Sequence, residues 1–252
     1  MTRRRFYAPP EAFSPALDSL TLQSDEARHL REVLRLRPGD RVHVFNGVGK
    51  EFDCSIEDTR KDTARLKVLT EVTPARPESP LKMTLALALL KSDKFDLVVQ
   101  KATELGVTSI VPIATKLADV RLRDDSDANK RVTRWQRIAL EASKQSGRAL
   151  VPEVVQPISF AKLVQAAGVS EEQRLMFSER EGHSLEMNDT LNGEQRQITA
   201  LVGPEGGWSD EEISMARESS WSVVTLGGRT LRAETAAITV VVLLQHLYGD
   251  LR

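Results

Sequence analysis

The chain has 252 residues, of which 40% are hydrophobic and 28% are charged, and its 35 basic and 36 acidic residues leave a formal net charge of −1. This balance is typical of a globular protein with a sizeable core, and it excludes a mostly disordered, collagen-like or disulfide-rich chain. The one cysteine, Cys54, can form neither an internal disulfide nor a thiolate zinc site, so we expect a reducing compartment such as bacterial cytoplasm. The apolar runs are too short for a signal peptide or a membrane span, and we expect neither.

The first 73 residues predict a small β-barrel. Segments of alternating polarity predict strands over residues 4–8, 41–47, 50–58 and 63–73. A helix is predicted over residues 25–36, because an N-cap residue begins it and Pro38-Gly39 follows it. Residues 74–80 are rich in proline, which is excluded from helix interiors and central strands, and therefore predict a linker.

Strands alternate with helices over residues 81–252. The predicted strands cover residues 83–90, 108–114, 174–179, 197–203 and 222–228. The predicted helices cover residues 94–106, 127–146, 160–168, 209–220 and 235–249. This alternation favours an α/β domain with a mostly parallel sheet.

The predicted strand 197–203 runs into a glycine-rich loop, GPEGG, at residues 203–207. Glycines permit backbone conformations that other residues rarely adopt, and they let a ligand approach the main chain. The next helix begins with a capping box of Ser209 and Glu212, and its free N–H groups add a weak positive pole. A phosphate-binding P-loop is excluded, because its lysine and its hydroxyl residue are absent. A tight turn without any ligand accounts for the same composition equally well.

A second polar loop, LGGRTLRAETA at residues 226–236, separates a predicted strand from a very apolar helix. It carries Arg229, Arg232 and Glu234, and charges so close to a buried element need partners or a ligand. The alternative is a structural pair between Arg232 and Glu234 that caps the helix. Both loops follow strands, and open α/β sheets bind their ligands at the carboxyl ends of strands.

These loops belong to an ordered set of motifs that spans almost the whole chain. The other members are RRFYAP (4–9), HLREVLRLRPGDRV (29–42), ALLKSDKFDLVVQKATELGV (88–107) and RWQRIALEASKQSGR (134–148). Together they resemble the bacterial family of S-adenosylmethionine-dependent methyltransferases that methylate N3 of a uridine in 16S ribosomal RNA. The sequence departs from the usual family pattern at Ala233, where threonine is more common, and at Ser92, where glycine is more common.

The resemblance implies a fold and partners. It implies a trefoil-knotted, SPOUT-type α/β methyltransferase domain over residues 81–252 and a PUA-like RNA-binding barrel over residues 1–73. It also implies a cytoplasmic homodimer that is joined through the closing helix, with 16S ribosomal RNA or the small ribosomal subunit as substrate and with no metal.

The resemblance further assigns roles to the two loops. The residues expected to bind S-adenosylmethionine are Leu201, Val202, Gly203, Pro204, Gly206, Leu226, Gly227, Leu231 and Thr235. Arg232 is expected to bind a uracil oxygen and to stabilise the anion that forms as N3 loses its proton. Glu205 and Glu234 are both candidates for accepting that proton, and the sequence does not choose between them.

Charge is segregated along the chain: residues 28–41 and 116–148 are basic, whereas residues 171–218 are acidic. Charge alone favours solvated helix faces, but the RNA substrate that the resemblance implies makes the basic segments candidates for RNA contacts. The candidates are Arg3, Arg4, Arg5, Arg28, Arg31 and Arg35 in the barrel, and Arg121, Arg123, Lys130, Arg131 and Arg134 in the second domain. Glu141, Gln145 and Arg148 are spaced to share one helix face, which either lines the RNA or is simply solvated.

Two other functions fit parts of the sequence. A ribose 2′-O-methyltransferase of the same knotted fold is disfavoured by the order of the motifs and by the N-terminal barrel. A non-catalytic RNA-binding factor for ribosome assembly is disfavoured by the intact glycines and Arg232.

Overall fold

The computed structural model describes residues 4–166, 172–185 and 196–251. The chain divides into two compact units, one comprising Met1–Glu78 with Leu140–Val151 and the other Ser79–Ala139 with Pro152–Arg252. The first unit therefore includes a segment that lies far along the chain from the rest of it. The predicted boundaries, with a linker at 74–80, assign all of that segment to the other domain.

The first unit is built around a five-stranded sheet. Its strands are β1 (Arg5–Tyr7), β2 (Ser19–Gln23), β3 (Arg41–Phe45), β4 (Glu51–Thr59) and β5 (Thr63–Val72). They lie in the order β1-β3-β4-β5-β2, and all the pairs except β1–β3 are antiparallel. Alternate side chains such as Val42, Cys54 and Leu66 fill the core. Burial raises the pKa of the Cys54 thiol to about 12, so this cysteine is an inert core residue.

The predicted helix 25–36 is present in a modified form. A short α-helix, α1 (Ser24–Arg28), continues into a π-helical turn over His29–Val33. Arg35 then adopts a positive φ of 53°, and Leu36 N donates a hydrogen bond to Leu30 O. This wider turn brings both Leu30 and Leu36 into the core, although a spacing of six residues would place them on different faces of a regular α-helix.

The second unit has an α/β architecture, as predicted. Its strands are β6 (Leu81–Ala88), β7 (Ser109–Ala114), β8 (Glu153–Val154), β9 (Ile158–Ser159), β10 (Glu172–Phe177), β11 (His183–Ser184), β12 (Arg196–Val202) and β13 (Ser222–Thr225). Among the described residues these strands pair in parallel in the order β11-β13-β10-β12-β6-β7-β8, with β9 also on β7. The helices are α2 (Ser92–Glu104), α3 (Asp125–Ser146), α4 (Phe160–Val164), α5 (Asp210–Glu218) and α6 (Ala233–Tyr248). The part of α3 from Leu140 onward belongs to the first unit.

Helices cover both faces of this sheet. Ala86 on β6 and Leu201 on β12 belong to a buried cluster that also includes Ile213 of α5. On the other face α6 packs against β6 and β12 and lies beside α2. A strand that is covered on both faces is apolar at successive positions, which explains the uninterrupted apolar run of β6. The trefoil knot implied by the family resemblance stays a prediction.

Candidate active site

The two loops singled out in the sequence meet at one edge of the sheet. Strands β13, β10 and β12 are parallel neighbours, so their carboxyl ends lie side by side. Beyond these ends lies a cavity of about 250 Å³. It is lined by Phe177, Ser178, Glu179, Val202, Gly203, Pro204, Glu205, Gly206, Gly207, Thr225, Leu226, Gly227, Gly228, Arg229, Thr230, Leu231, Ala233 and Ala236. Much of this wall is glycine-rich loop, which exposes main-chain groups to a ligand.

Most of the predicted donor-binding residues line the cavity, but Leu201 and Thr235 do not. Leu201 is buried in the core on the opposite face of β12, because successive strand residues point to opposite faces. Thr235 is exposed on α6, where Ala233 and Ala236 take the positions that face the cavity. Those two alanines are three residues apart and share a helical face.

The third part of the cavity wall is not predicted by any sequence motif. Phe177, Ser178 and Glu179 reach the cavity from the end of β10, and no glycine or turn motif marks them. The buried Trp208 connects this strand to the GPEGG loop, since its Nε1 donates a hydrogen bond to Phe177 O at 2.8 Å. Trp208 therefore has a packing role and is not a stacking platform.

Two glycine positions require their residue type. Gly207 has a φ of +69°, and a Cβ atom there would collide with the carboxylate of Glu179. Gly227 has a φ of +66° and faces open space, so the backbone of the second loop is bare at that point. The cavity is thus a cradle of main chain and small side chains, suited to a ligand with flat and polar parts.

The capping box predicted at the start of α5 is present. Ser209 Oγ accepts a hydrogen bond from Glu212 N at 3.3 Å, and Glu212 Oε2 accepts one from Ser209 N at 3.0 Å. The second carboxylate oxygen of Glu212 accepts a hydrogen bond from Lys116 N at 2.9 Å. Glu212 therefore fixes the helix that follows the GPEGG loop to the segment that follows β7.

Lys94 joins the two candidate proton acceptors. Its Nζ lies 2.9 Å from Glu205 Oε1 and 3.5 Å from Glu234 Oε2. The hydrogen bond to Glu205 raises the pKa of Lys94, so the ammonium stays charged at neutral pH. Burial alone would raise the pKa of Glu205, but the hydrogen bond and charge of Lys94 bring it below the ordinary value. Glu205 is therefore ionised and is a weaker base than a free carboxylate.

The arginines of the second loop differ in position. Arg229 lines the cavity, whereas Arg232 is the N-cap residue of α6 and has an exposed side chain that is not part of the cavity wall. Among the described residues, Arg232 makes no ion pair with Glu234, whose cation partner is Lys94. The alternative of a structural Arg232–Glu234 cap is therefore not seen in the structure.

The predicted RNA contacts include two arginines that are buried in the first unit. Arg5 donates to Glu51 Oε2 at 3.1 Å and to the carbonyl of Arg148 at 3.0 Å. Arg148 forms an ion pair with Glu78 at 2.6 Å. Arg148 also lies beyond the end of α3 at Ser146, so it does not continue the helix face of Glu141 and Gln145. These placements favour structural roles for Arg5 and Arg148.

The other basic candidates lie nearer the surface, and several have partners. Arg31 pairs with Glu32, Arg28 with Asp25, Arg131 with Asp127 and Arg134 with Asp96, and Arg121 donates to the carbonyls of Thr115 and Lys116. Arg4, Arg35, Arg123 and Lys130 are exposed, as are Glu141 and Gln145. Arg3 lies outside the described residues.

The first unit also contains an open basic groove of about 670 Å³. It is lined by Arg4, Arg5, His29, Leu34, Ala75, Arg76, Lys144, Gln145, Ser146 and Gly147. Lys144 is neutralised there by Glu26, whose Oε1 lies 2.6 Å from its Nζ. The exposed Arg4 and Arg76 have no ion pair with any described residue, so they supply the free positive charge of the groove.

A family model described as an RNA methyltransferase domain matches residues 77–245, and a model described as an RNA methyltransferase PUA domain matches residues 22–69. The chain belongs to the RNA methyltransferase family. The membership expected from the motifs is confirmed, and the N-terminal unit is PUA-like, as expected.

Relatives with the same architecture are similar over most of the chain. A Synechocystis protein named ribosomal RNA small subunit methyltransferase E is 34% identical, over 92% of this chain and 74% of its own. The crystal structure of a ribosomal RNA small subunit methyltransferase E from Neisseria gonorrhoeae, bound to S-adenosylmethionine, is 35% identical, with a TM-score of 0.85 and full coverage of both chains. A structure from Legionella pneumophila, also with bound S-adenosylmethionine, is 32% identical, with a TM-score of 0.83 over 99% of this chain and 100% of its own.

The described residues contain neither a membrane-spanning helix nor a metal-binding cluster. None of the described helices is both long and apolar enough to cross a membrane. Within the same ranges, no cluster of three or more His, Cys, Asp or Glu side chains is arranged to hold a metal ion.

Proposed function

We propose that this chain is a methyltransferase that uses S-adenosylmethionine to methylate N3 of a specific uridine in 16S ribosomal RNA. The observation that carries the proposal is the main-chain cradle at the carboxyl ends of β10, β12 and β13. Relatives of the same fold and of about one-third identity bind S-adenosylmethionine and are named for small-subunit ribosomal RNA, which supports both the donor and the substrate.

The residues of the cradle fit the donor. Gly203, Gly206 and Gly227 would offer main-chain groups to the polar parts of the donor, and Leu226 and Leu231 would offer apolar contacts. Glu179 adds a negative charge to a wall that faces a positively charged molecule. When bound, S-adenosylmethionine supplies an electrophilic methyl group on its sulfonium.

The acceptor needs help from the protein, because the neutral imide nitrogen of uracil is a poor nucleophile. We assign Arg232 to a uracil oxygen, where its charge stabilises the anion that forms as the N3 proton leaves. Its exposed side chain leaves it available to an RNA nucleotide. Glu205 and Glu234 remain the candidate proton acceptors, and both are connected to Lys94.

The basic groove of the first unit is the surface that we assign to RNA phosphates. Its free arginines, Arg4 and Arg76, attract the RNA backbone without reading its sequence. Arg5 also lines the groove, but its charge is paired with the buried Glu51. Ribosomal RNA as a partner implies the cytoplasm as the place of action.

We also propose a homodimer through α6, although the structure leaves less apolar surface of this helix exposed than its sequence suggests. The apolar residues of α6 that could contact a partner are Ile238, Val241, Val242, Leu244 and Leu247. Of these, Val241 and Leu244 are fully buried within the chain. Val242 is 39% exposed, and Leu97 on the neighbouring α2 is 41% exposed. Light scattering at micromolar concentration tests the dimer, and a monomeric mass would contradict it.

The decisive experiment compares small-subunit ribosomal RNA from cells with and without this protein by nucleoside mass spectrometry. We expect one 3-methyluridine to disappear with the protein and to return when purified protein and S-adenosylmethionine are supplied. A ribose 2′-O-methyl group would instead protect the neighbouring phosphodiester from alkaline hydrolysis. Absence of donor binding in calorimetry would favour a non-catalytic assembly factor.

A further inference from the structure

Lys94 lies where three separate segments of the second unit meet. It belongs to the first turn of α2, whereas Glu205 belongs to the loop after β12 and Glu234 to the first turn of α6. Its ammonium bridges both carboxylates, at 2.9 Å and 3.5 Å. The two loops that build the cavity are therefore connected through one side chain that comes from neither of them.

The two carboxylates are not equivalent. Glu205 lines the cavity and its side chain is 28% exposed, whereas Glu234 does not line the cavity and is 13% exposed. Glu234 Oε2 is buried and accepts no hydrogen bond from any described residue, so the ammonium of Lys94 is its compensating charge. Glu234 is largely buried and Lys94 is its cation partner among the described residues, so the pair restricts where the ammonium of Lys94 can lie.

We propose that Lys94 is a positioning residue for the methyl transfer: anchored by the largely buried Glu234, it holds Glu205 at the cavity wall and fixes the GPEGG loop to the start of α6. The proposal rests on the function proposed above, and it adds a residue that acts on the reaction through Glu205. Lys94 belongs to the motif at residues 88–107, but its pairing with Glu205, 111 residues away, is seen only in the structure.

The alternative is that the Lys94–Glu205 ion pair has a purely structural role. The size of its contribution to stability, compared with its effect on rate, distinguishes the two roles. Lys94 and Glu205 are each about one-quarter exposed, and pairs that solvent reaches contribute little to stability. Positioning has a different signature, since a small displacement of a group near the reacting atoms costs rate far more than it costs stability.

The test uses Lys94→Met, which keeps the length of the side chain and removes its charge. The conservative variant is Lys94→Arg. The matched control is Lys101→Met on the same helix, where Lys101 pairs with Glu104 at 2.9 Å, away from the cavity. Single-turnover methylation of small-subunit RNA at saturating donor, donor affinity by calorimetry and thermal melting are measured on all four proteins.

We expect Lys94→Met to lower the single-turnover rate about 10- to 100-fold, with a donor affinity within about threefold of the wild type. The melting temperature should fall only modestly, because solvent still reaches both carboxylates once their shared cation is lost. Lys94→Arg restores most of the rate, because it keeps the charge and the donors. Lys101→Met behaves as the wild type.

The pH–rate profile gives a signature that a structural role would not produce. Lys94 lowers the pKa of Glu205, so its removal moves the acidic limb of the profile to higher pH. Lys91 also lowers this pKa and remains in the variant, where it faces Asp119 at 3.9 Å, so the shift is partial. A limb that stays in place would contradict the proposal, as would a normal rate for Lys94→Met or parallel losses of rate, donor affinity and melting temperature.

Failure of the proposed function has its own result, which is a wild-type protein that methylates no small-subunit RNA. In that case hydrogen exchange decides about Lys94. We expect faster exchange of the amides at residues 203–209 and 232–236 in Lys94→Met but not in Lys101→Met. Unchanged exchange in both loops would overturn the positioning role.

Discussion

Arginines of the two units illustrate how partners decide the role of a charge. In the first unit, Arg5 lies against a fully buried Glu51, and Arg148 lies against Glu78. In the second unit, Arg229 and Arg232 precede an apolar helix, and neither forms an ion pair with a described residue. The first arrangement uses arginine as part of a core, and the second leaves it available for a ligand. We therefore expect replacement of an arginine to reduce stability in the first unit and to reduce function in the second.

The largest effect is expected from breaking a buried pair. Arg5→Met should destabilise the protein by about 3–5 kcal/mol, because Glu51 would be left as a buried charge without its arginine. The measurement is urea unfolding followed by circular dichroism. The control is Arg65→Met, which removes an exposed partner of Glu57 and should change stability by less than about 0.5 kcal/mol. If both substitutions lowered the free energy of unfolding equally, burial would not explain the different roles of Arg5 and Arg65.

An opposite outcome is expected for Arg232→Ala. If Arg232 stabilises charge that develops only in the transition state, kcat should fall about 10²–10³-fold, equivalent to about 3–4 kcal/mol, with donor affinity nearly intact. Donor titration and single-turnover methylation on the same variant provide the measurement. Arg217→Ala is the control, since Arg217 is an exposed arginine of α5 that pairs with Glu181. A variant that binds donor poorly but reacts normally when saturated would remove Arg232 from catalysis.

A smaller effect is expected when the free arginines of the basic groove are replaced. The double change Arg4→Gln and Arg76→Gln should weaken RNA binding, and the log–log slope of affinity against salt should become shallower by about 0.7–0.9 for each phosphate that is no longer neutralised. Fluorescence anisotropy with a 16S ribosomal RNA fragment at several salt concentrations measures this. Arg65→Gln serves as the control on an exposed arginine outside the groove, and an equal weakening in that variant would mean that the groove does not bind the RNA.

The smallest effect concerns the Lys94–Glu205 pair, which is neither buried like Arg5 nor free like Arg232. The pKa of Glu205 is lowered in the folded state, so the pair adds stability above the ordinary glutamate value of 4.5 and loses it as the pH falls through the lower, folded value. Melting curves of wild type and Lys94→Met should therefore converge as the solution becomes acidic. Curves that diverge on acidification would contradict the lowered pKa.

Local patterns predicted the elements of the fold well. The apolar run of β6, the capping box at Ser209 and the two loops at strand ends all follow from short stretches of sequence. The short strands β8, β9 and β11 were not predicted, because two residues carry no period. Strand β2 was also missed, since its pairing with β5 depends on a segment far along the chain.

The chemistry of the site was only partly accessible to the same reasoning. The glycines of both loops indicate the cavity, but Glu179 reaches it from a segment without any motif. Lys94 belongs to a motif, but its contact with Glu205 at the cavity wall is a tertiary one that the motif does not predict. The roles of Arg5 and Arg148 depend on partners 46 and 70 residues away. Periodicity within one element does not contain that information. Charge alone therefore gives a list of arginines that could contact RNA. Only their tertiary ion pairs show which of them have a structural role instead.

The discontinuity of the first unit limits how this chain can be divided or recombined. A fragment that ends at Glu78 lacks residues 140–151, and with them the arginine that compensates Glu78 and the main-chain partner, Ala149, of Gly49 N. We therefore expect that cleavage in the proline-rich segment 74–80 does not release an independently folded domain. Exchange of the N-terminal part between relatives therefore succeeds only when a matching internal segment travels with it, so the two stretches are expected to be inherited together.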